Sequence, residues 1–180
     1  ARYSSSTLIG ITGSNGKTTT TKLLYHLLST AGLNVGMAGN VGYSFARFVA
    51  EKDMDYMVLE LSSFQLDGIV DFCPNYAILL NITPDHLDRY DYQMKNYIRS
   101  KFRITMNQSA ADRFYFYAED QHIQKYLSSH PLSVQKVGVS TKMVQGSSLK
   151  VNEMVFDLAN TQLRGLHNAL NALFAISICQ

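Results

Sequence analysis

The strongest indication of the fold in this sequence is the run Thr12-Gly13-Ser14-Asn15-Gly16-Lys17-Thr18-Thr19-Thr20. It follows an apolar run that predicts a buried strand over residues 7–12, and it opens a helical pattern from residue 17 to about residue 31. Glycines between a strand and a helix let backbone N–H groups turn inward around a phosphate, and the helix dipole adds to the attraction. Lys17 is expected to reach the β and γ phosphates and the Thr18 hydroxyl to ligate Mg²⁺. The stretch therefore predicts a nucleoside triphosphate site.

One position departs from the usual form of this phosphate loop. Ile11 stands where a glycine is common, five residues before Gly16. A loop that contains Gly-Lys-Thr by chance is the alternative, and the position between a strand and a helix disfavours it.

The rest of the chain predicts an α/β fold. Short apolar runs alternate with helical periodicity, which indicates a mostly parallel P-loop NTPase-like sheet flanked by helices. Beyond Leu132 the pattern changes to short strands with turn residues, which predicts a small antiparallel sheet near the C-terminal part. Further strands are predicted near residues 34–37 and over 56–61, 76–82, 114–117, 142–145 and 149–152, and further helices over 43–52, 92–106, 118–129 and 166–179.

Composition restricts the class of protein. A chain of 180 residues with 46% hydrophobic and 17% charged residues is typical of one folded domain, not of a disordered chain. A net charge of +2 gives no strong field for nucleic acid or a membrane surface, so a bound anion needs a local site. No run approaches the roughly 20 apolar residues of a membrane span, and residues 1–7 lack the features of a signal peptide. Cys73 and Cys179 match no metal or redox spacing, which favours free thiols and the cytoplasm.

An acidic residue ends a later apolar strand. Glu60 follows the run Tyr56-Met57-Val58-Leu59, at the carboxyl end where parallel sheets place their sites. It can hold or polarise the magnesium of a P-loop protein, and an ordinary strand-end glutamate is the alternative.

Three segments together resemble the central, ATP-binding domain of the Mur ligases, ATP-dependent amide-forming enzymes of peptidoglycan precursor synthesis. Residues 12–20 are similar to that family's phosphate loop, which explains the missing early glycine. Residues 59–66 and 81–90, Leu-Glu-Leu-Ser-Ser-Phe-Gln-Leu and Asn-Ile-Thr-Pro-Asp-His-Leu-Asp-Arg-Tyr, resemble the branch of the family that adds D-glutamate. The resemblance covers residues 9–179.

The resemblance implies two magnesium ions. Thr18 and Glu60 would ligate the ion at the terminal phosphates, and His86 the second ion. Lys101 matches a lysine that the family carbamylates with CO₂, which makes it an anionic metal ligand. From the residues alone, His86 can equally be a turn histidine and Lys101 a solvated helix lysine.

The resemblance also implies contacts to the substrates. Gly13 to Thr19 would hold the phosphates of ATP, and Asn168 and Asn171 would face the adenine. An amide both donates and accepts, as the adenine edge requires. Helix capping is the alternative for Asn168, and both roles are compatible. The residues expected at the nucleotide-sugar substrate are Asn40, Ser62, Gln65 and His86.

The implied reaction joins D-glutamate to UDP-N-acetylmuramoyl-L-alanine through an acyl phosphate, in a monomer that binds no nucleic acid or membrane. Residues 1–180 would be the single central domain, without the domains that bind the uridine nucleotide and the amino acid. Such an excised domain is expected to bind ATP weakly and to ligate nothing alone. The alternatives are a family ligase for another amino acid or for folate, a P-loop kinase or NTPase, and a binding module.

Overall fold

A computed structural model describes residues 4–180 and contains a six-stranded parallel sheet in the order β2-β3-β1-β4-β5-β6. This arrangement confirms the predicted α/β class. The strands are β1 (Thr7–Thr12), β2 (Val35–Gly39), β3 (Tyr56–Glu60), β4 (Tyr76–Leu79), β5 (Arg113–Tyr117) and β6 (Gln135–Val139).

Register aligns the carboxyl ends of the three central strands. Ile11 of β1 lies opposite Glu60 of β3, and Thr12 lies opposite Leu79 of β4. The loops that follow these strands therefore meet at one edge of the sheet, which is where parallel sheets place ligand sites.

Helices cover both faces of the sheet, as the buried apolar character of its strands requires. They are α1 (Lys17–Thr30), α2 (Phe45–Glu51), α3 (Ser63–Asp67), α4 (Met94–Phe102), α5 (Gln121–Ser129) and α6 (Gly165–Ile178). Leu24 of α1 and Leu173 of α6 pack with Ile11 on one face. Tyr97 of α4 and Ile123 of α5 pack on the other, and Phe45 and Phe48 of α2 cover a smaller cluster near β2.

A small antiparallel sheet follows the parallel one. It contains β7 (Val144–Gln145), β8 (Ser148–Val151) and β9 (Met154–Asp157). The buried side chains of Leu149 and Val151 join the same cluster as α6. The predicted small sheet near the C-terminal part is thereby confirmed.

Some boundaries differ from the sequence prediction for local reasons. The small antiparallel sheet begins later than the predicted boundary at Leu132, because β6 pairs in parallel with β5 and belongs to the main sheet. The unpredicted α3 begins at a reciprocal cap between Ser62 and Gln65. Asp120 caps α5, so this helix begins three residues later than predicted.

The predicted helix over residues 92–106 is shorter than expected, because the chain tightens into a 3₁₀ turn over Arg103–Thr105. The expectation about a signal peptide falls partly on residues 1–3, outside the described residues. None of the helices within residues 4–180 has the length and apolar character needed to cross a bilayer.

Candidate active site

The phosphate loop, residues 13–17, connects β1 to α1 as predicted. Gly16 precedes α1 with φ of 83°, a left-handed conformation that favours glycine. A Cβ atom at this position would also collide with the side chain of Asn171 on α6. Glycine at position 16 therefore satisfies both the backbone turn and the close approach of α6.

The segment that follows β4 fixes the loop in place. Ser14 N donates to Asn81 O at 3.0 Å, and Asn15 N donates to Asn81 Oδ1 at 2.9 Å. Asn81 Nδ2 in turn donates to Asn15 O at 3.0 Å. Because its backbone is already bonded, the loop is ordered before any anion arrives.

Ser14 joins the loop to α4. Its Oγ donates to Thr83 O and accepts from Thr83 N, both at 2.9 Å. The hydroxyl of Tyr97 lies 3.0 Å from the same Oγ. Because a serine hydroxyl has one proton, which Thr83 O takes, Tyr97 must be the donor here.

Two lysines converge on the carbonyl of Gly13. Lys17 Nζ donates to Gly13 O and Ser14 O, both at 2.9 Å, and Lys101 Nζ donates to Gly13 O at 2.8 Å. The Lys101 Nζ atom also lies 4.6 Å from the centroid of the Tyr97 ring. The two lysine Nζ atoms therefore share one carbonyl acceptor in the phosphate loop.

Burial lowers the pKa of both lysines, and the charge of Lys17 adds to the shift of Lys101. Lys101 is only 1% exposed, and this burial, followed by the charge of Lys17, lowers its pKa to about 7. The negative charge of Asp85 opposes the shift. Burial also lowers the pKa of Lys17, against the opposing charges of Glu60 and Asp85. The structure thus supplies a Lys101 amine that is partly neutral near pH 7, which a solvated lysine would not be.

Glu60 presents an unpaired oxygen at this edge of the sheet. Its side chain is 1% exposed, and Oε1 accepts from Asn40 Nδ2 at 2.8 Å. Oε2 is buried and has no hydrogen-bond partner among the described residues. A buried carboxylate oxygen without a donor fits a hard cation such as Mg²⁺, which binds oxygen ligands.

The predicted second metal ligand is exposed. His86 has φ of 48°, its Nε2 lies 3.6 Å from Asp85 Oδ1, and its ring centroid lies 5.4 Å from that of Phe64. No cluster of three or more His, Cys, Asp or Glu side chains within residues 4–180 could hold a metal by itself. A magnesium at Glu60 would complete its shell with phosphate oxygens and water, as this ion commonly does. The metal role of His86 stays a prediction.

A cavity of about 510 Å³ lies between the phosphate loop and α6. Asn15 and Asn171 supply amide groups to its wall, and Leu170 and Phe174 supply apolar surface. This combination suits a flat heteroaromatic base, which needs apolar faces and a few polar groups at its edge. Asn168 instead donates to Arg164 O at 2.9 Å, within the first turn of α6.

Asn40, Ser62 and Gln65, which are predicted to contact the nucleotide-sugar substrate, form hydrogen bonds within the protein. Ser62 N donates to Gln65 Oε1 at 2.8 Å, while Gln65 N donates to Ser62 Oγ at 3.3 Å. Gln65 and Gly39 also line a mostly apolar cavity of about 490 Å³. Substrate contacts by Asn40, Ser62 and Gln65 stay predictions.

Several site residues were not singled out in the sequence. Asn81 and Thr83 hold the phosphate loop, Tyr97 bonds to Ser14, and Asp85 acts on both lysines. Asn81, Thr83 and Asp85 fall in the segment 81–90. The resemblance of that segment to the Mur ligases is the one sequence signal that could have indicated these residues. Their contacts with the loop cross more than sixty residues of chain, which no local pattern encodes.

Comparison with known proteins gives consistent matches. Residues 11–179 match the family model of the Mur ligase middle domain. A UDP-N-acetylmuramoylalanine--D-glutamate ligase of Christiangramia forsetii is 49% identical over 189 residues, which cover 99% of this chain and 42% of that protein. The ligase of the same name from Bacteroides fragilis is 49% identical over 184 residues, 97% of this chain and 41% of that protein.

The chain spans about 42% of the length of the curated relatives that it matches. Among solved structures, the MurF ligase from Thermotoga maritima in complex with ADP aligns with a TM-score of 0.76 at 19% identity. That alignment covers 97% of this chain and 45% of the other. It supports the fold.

Proposed function

The chain belongs to the Mur ligase family, and on this premise we propose that it is the central, ATP-binding domain of a ligase that joins D-glutamate to UDP-N-acetylmuramoyl-L-alanine. Two relatives at 49% identity carry the name of that ligase. The chain covers less than half of each relative, and in this proposal the domains that bind the uridine nucleotide and the amino acid lie outside residues 1–180. We place the enzyme in the cytoplasm, as a monomer.

One arrangement carries the proposal. Lys17 and Lys101 converge on Gly13 O, at the sheet edge where Glu60 keeps an unpaired buried oxygen. The Lys17 ammonium, together with metal ions that Glu60 and a carbamylated Lys101 would hold, offsets the charge of a transferring phosphoryl group, and this is the main task in such catalysis.

In the proposed reaction, the alanine carboxylate of the nucleotide-sugar substrate attacks the γ phosphorus of ATP. The bond from that phosphorus to the ADP oxygen breaks, which gives ADP and an acyl phosphate. The amine of D-glutamate then attacks the acyl carbon, and phosphate leaves through a tetrahedral intermediate while the amine loses a proton.

The chain's own residues have separate roles in this reaction. The phosphate loop, residues 13–19, binds the phosphates through the N–H groups that do not already donate to Asn81 and through the Lys17 ammonium, which would exchange its carbonyl partners for phosphate oxygens. Asn171 contacts the adenine, with Asn168 as a second candidate. Thr18 and Glu60 would hold one magnesium ion, and His86 and carbamylated Lys101 the second. Magnesium, when bound, offsets the negative charge on the phosphoryl oxygens.

Lys101 suits carbamylation because part of its population is the neutral amine near pH 7. That amine attacks CO₂, the new N–C bond forms, and a proton leaves. The product is a carboxylate-like anion, which removes the repulsion between Lys17 and Lys101 and offers oxygen to a metal. Asn40, Ser62, Gln65 and His86 complete the site as contacts to the nucleotide-sugar substrate.

A phosphate-release assay on the full-length protein tests the proposal. The uridine-linked alanyl substrate, ATP and Mg²⁺ are supplied with one candidate amino acid at a time. We expect release to depend on D-glutamate. Dependence on another amino acid, or on folate supplied in place of the alanyl substrate, would assign a sister ligase, and release without any added amino acid would assign an NTPase.

A further inference from the structure

A groove between α4 and α5 lies outside the site described above. Its volume is about 880 Å³, larger than the cavity of about 510 Å³ beside α6. Lys95 and Arg99 of α4 line one side, one helical turn apart, and Lys125 of α5 lines the other. The imidazole rings of His122 and His130 also line the groove. Of the described residues that line the groove, none is acidic.

The three cations of the groove are not neutralised by the protein itself. None of Lys95, Arg99 and Lys125 has a carboxylate oxygen at ion-pairing distance within residues 4–180. All three side chains are exposed. Like charges that surround a common space repel one another, and an anion placed between them relieves that repulsion.

The apolar part of the groove, its floor, is built around Tyr126. The Tyr126 ring is stacked between Phe102 at 3.8 Å and His130 at 4.2 Å, measured between ring centroids. Phe102 is anchored in the core, where it packs against Phe114. The half-buried side chains of Met94 and Ile98 extend the apolar surface.

We propose that this groove docks an acidic segment of a partner protein. Carboxylates of the segment pair with Lys95, Arg99 and Lys125, and an apolar side chain between them packs on the floor. The groove is an open surface with an exposed rim, which suits a peptide better than a small ligand that needs enclosure. Both faces of the Tyr126 ring are already covered, so it offers no platform to a nucleobase.

Fluorescence anisotropy with a labelled peptide, Glu-Glu-Leu-Glu-Phe-Glu-Glu, tests the proposal on the full chain. We expect saturable binding that weakens as salt is added, and no binding of the same peptide with every glutamate replaced by glutamine. Amide chemical shifts should change on α4 and α5. Shift changes confined to the phosphate loop, or tighter binding of a single-stranded oligonucleotide, would overturn the assignment.

Two double variants separate the groove from general charge. Arg99→Gln with Lys125→Gln should weaken peptide binding about fivefold, because exposed ion pairs contribute modestly. Lys136→Gln with Lys150→Gln removes the same charge from exposed strand positions and should leave the affinity unchanged. Equal losses in the two double variants, or no measurable binding by the parent chain, would refute the proposal. Nucleotide binding should be the same in all three proteins.

Discussion

Lys101 is the residue whose chemistry departs most from its usual behaviour. Burial, then the charge of Lys17, lowers its pKa to about 7 from the ordinary 10.5. Between these two pH values the unfolded chain binds more protons than the folded one, so this group makes folding more favourable as pH rises through that range. Below about pH 7 the folded protein bears the full cost of a buried ammonium.

The same shift predicts a pH-dependent carbamate. At a constant level of dissolved ¹³CO₂, the carbamate signal in ¹³C NMR should grow as pH rises from below 7 to above it, since only the neutral amine reacts. Lys101→Met preserves an apolar, unbranched stem and should lack the signal. A signal that persists in this variant, or that does not change with pH, would contradict the assignment.

Replacement of Glu60 tests the proposed magnesium site. Glu60→Gln keeps the bond to Asn40 but weakens the cation site, because an amide oxygen lacks the charge that Mg²⁺ prefers. At a nucleotide concentration about 100 times the Kd, ligand binding stabilises a protein by about 2.7 kcal/mol. We expect thermal denaturation to show most of that stabilisation lost in Glu60→Gln.

The control for Glu60 is Glu51→Gln, which removes an exposed carboxylate paired with Arg47. It should respond to Mg²⁺ and ATP like the parent chain. An undiminished response in Glu60→Gln would show that the unpaired Oε2 does not hold the metal.

Three segments of the chain meet through Ser14. The phosphate loop, the segment after β4 and α4 share the hydroxyl groups of Ser14 and Tyr97 and the backbone of Thr83. Tyr97 and Lys101 lie one turn apart on α4, so the helix that carries the buried lysine is bonded to the phosphate loop. This hydrogen bond therefore helps to fix the position of Lys101 relative to the phosphate loop.

Tyr97→Phe tests this connection by removing one oxygen atom. The change should cost about 1 kcal/mol in the free energy of unfolding, a typical value for one hydrogen bond, and should weaken nucleotide binding. Urea denaturation and nucleotide titration measure the two effects. Tyr92→Phe, at a position 76% exposed, is the matched control and should change neither. Equal behaviour of the two variants would contradict the structural role of Tyr97.

The sequence predicted the elements of the phosphate side better than those of the far edge. β1, α1 and Glu60 follow from apolar runs and one loop motif, and these are local signals. β6 was not assigned to the main sheet, because the polar and glycine-containing run 135–139 is an edge strand with little buried surface. The contacts of Asn81, Tyr97 and Asp85 depend on tertiary packing, so no local rule could supply them.

Helix α6 joins the parallel sheet to the small antiparallel sheet. Its buried side chains pack against α1 and the parallel strands, and also against Leu149 of the small sheet. The same helix places Asn171 beside Gly16. Nucleotide affinity and global stability should therefore depend on one helix near the end of the chain.

Leu173→Ala tests the contribution of α6. Leu173 is 0% exposed, so its truncation should leave a cavity and cost about 2–5 kcal/mol in the free energy of unfolding. Leu33→Ala makes the same chemical change at a position 40% exposed and should stay within about 0.5 kcal/mol of the parent chain. Both values come from urea denaturation. Similar losses for the two variants would contradict the central position of α6 in the core.

The strand order has a consequence for synthesis of the protein. β1 is made before the other five strands of the parallel sheet, yet its neighbours are β3 and β4, so one pairing waits for Glu60 and the other for Leu79. The helix that covers Ile9 and Ile11 together with α1 comes still later, at residues 165–178. Pairings between distant segments form slowly, and apolar strands that wait for partners are prone to aggregate. Among the six strands of the parallel sheet, the strand that leads into the phosphate loop therefore needs the longest protection on the ribosome.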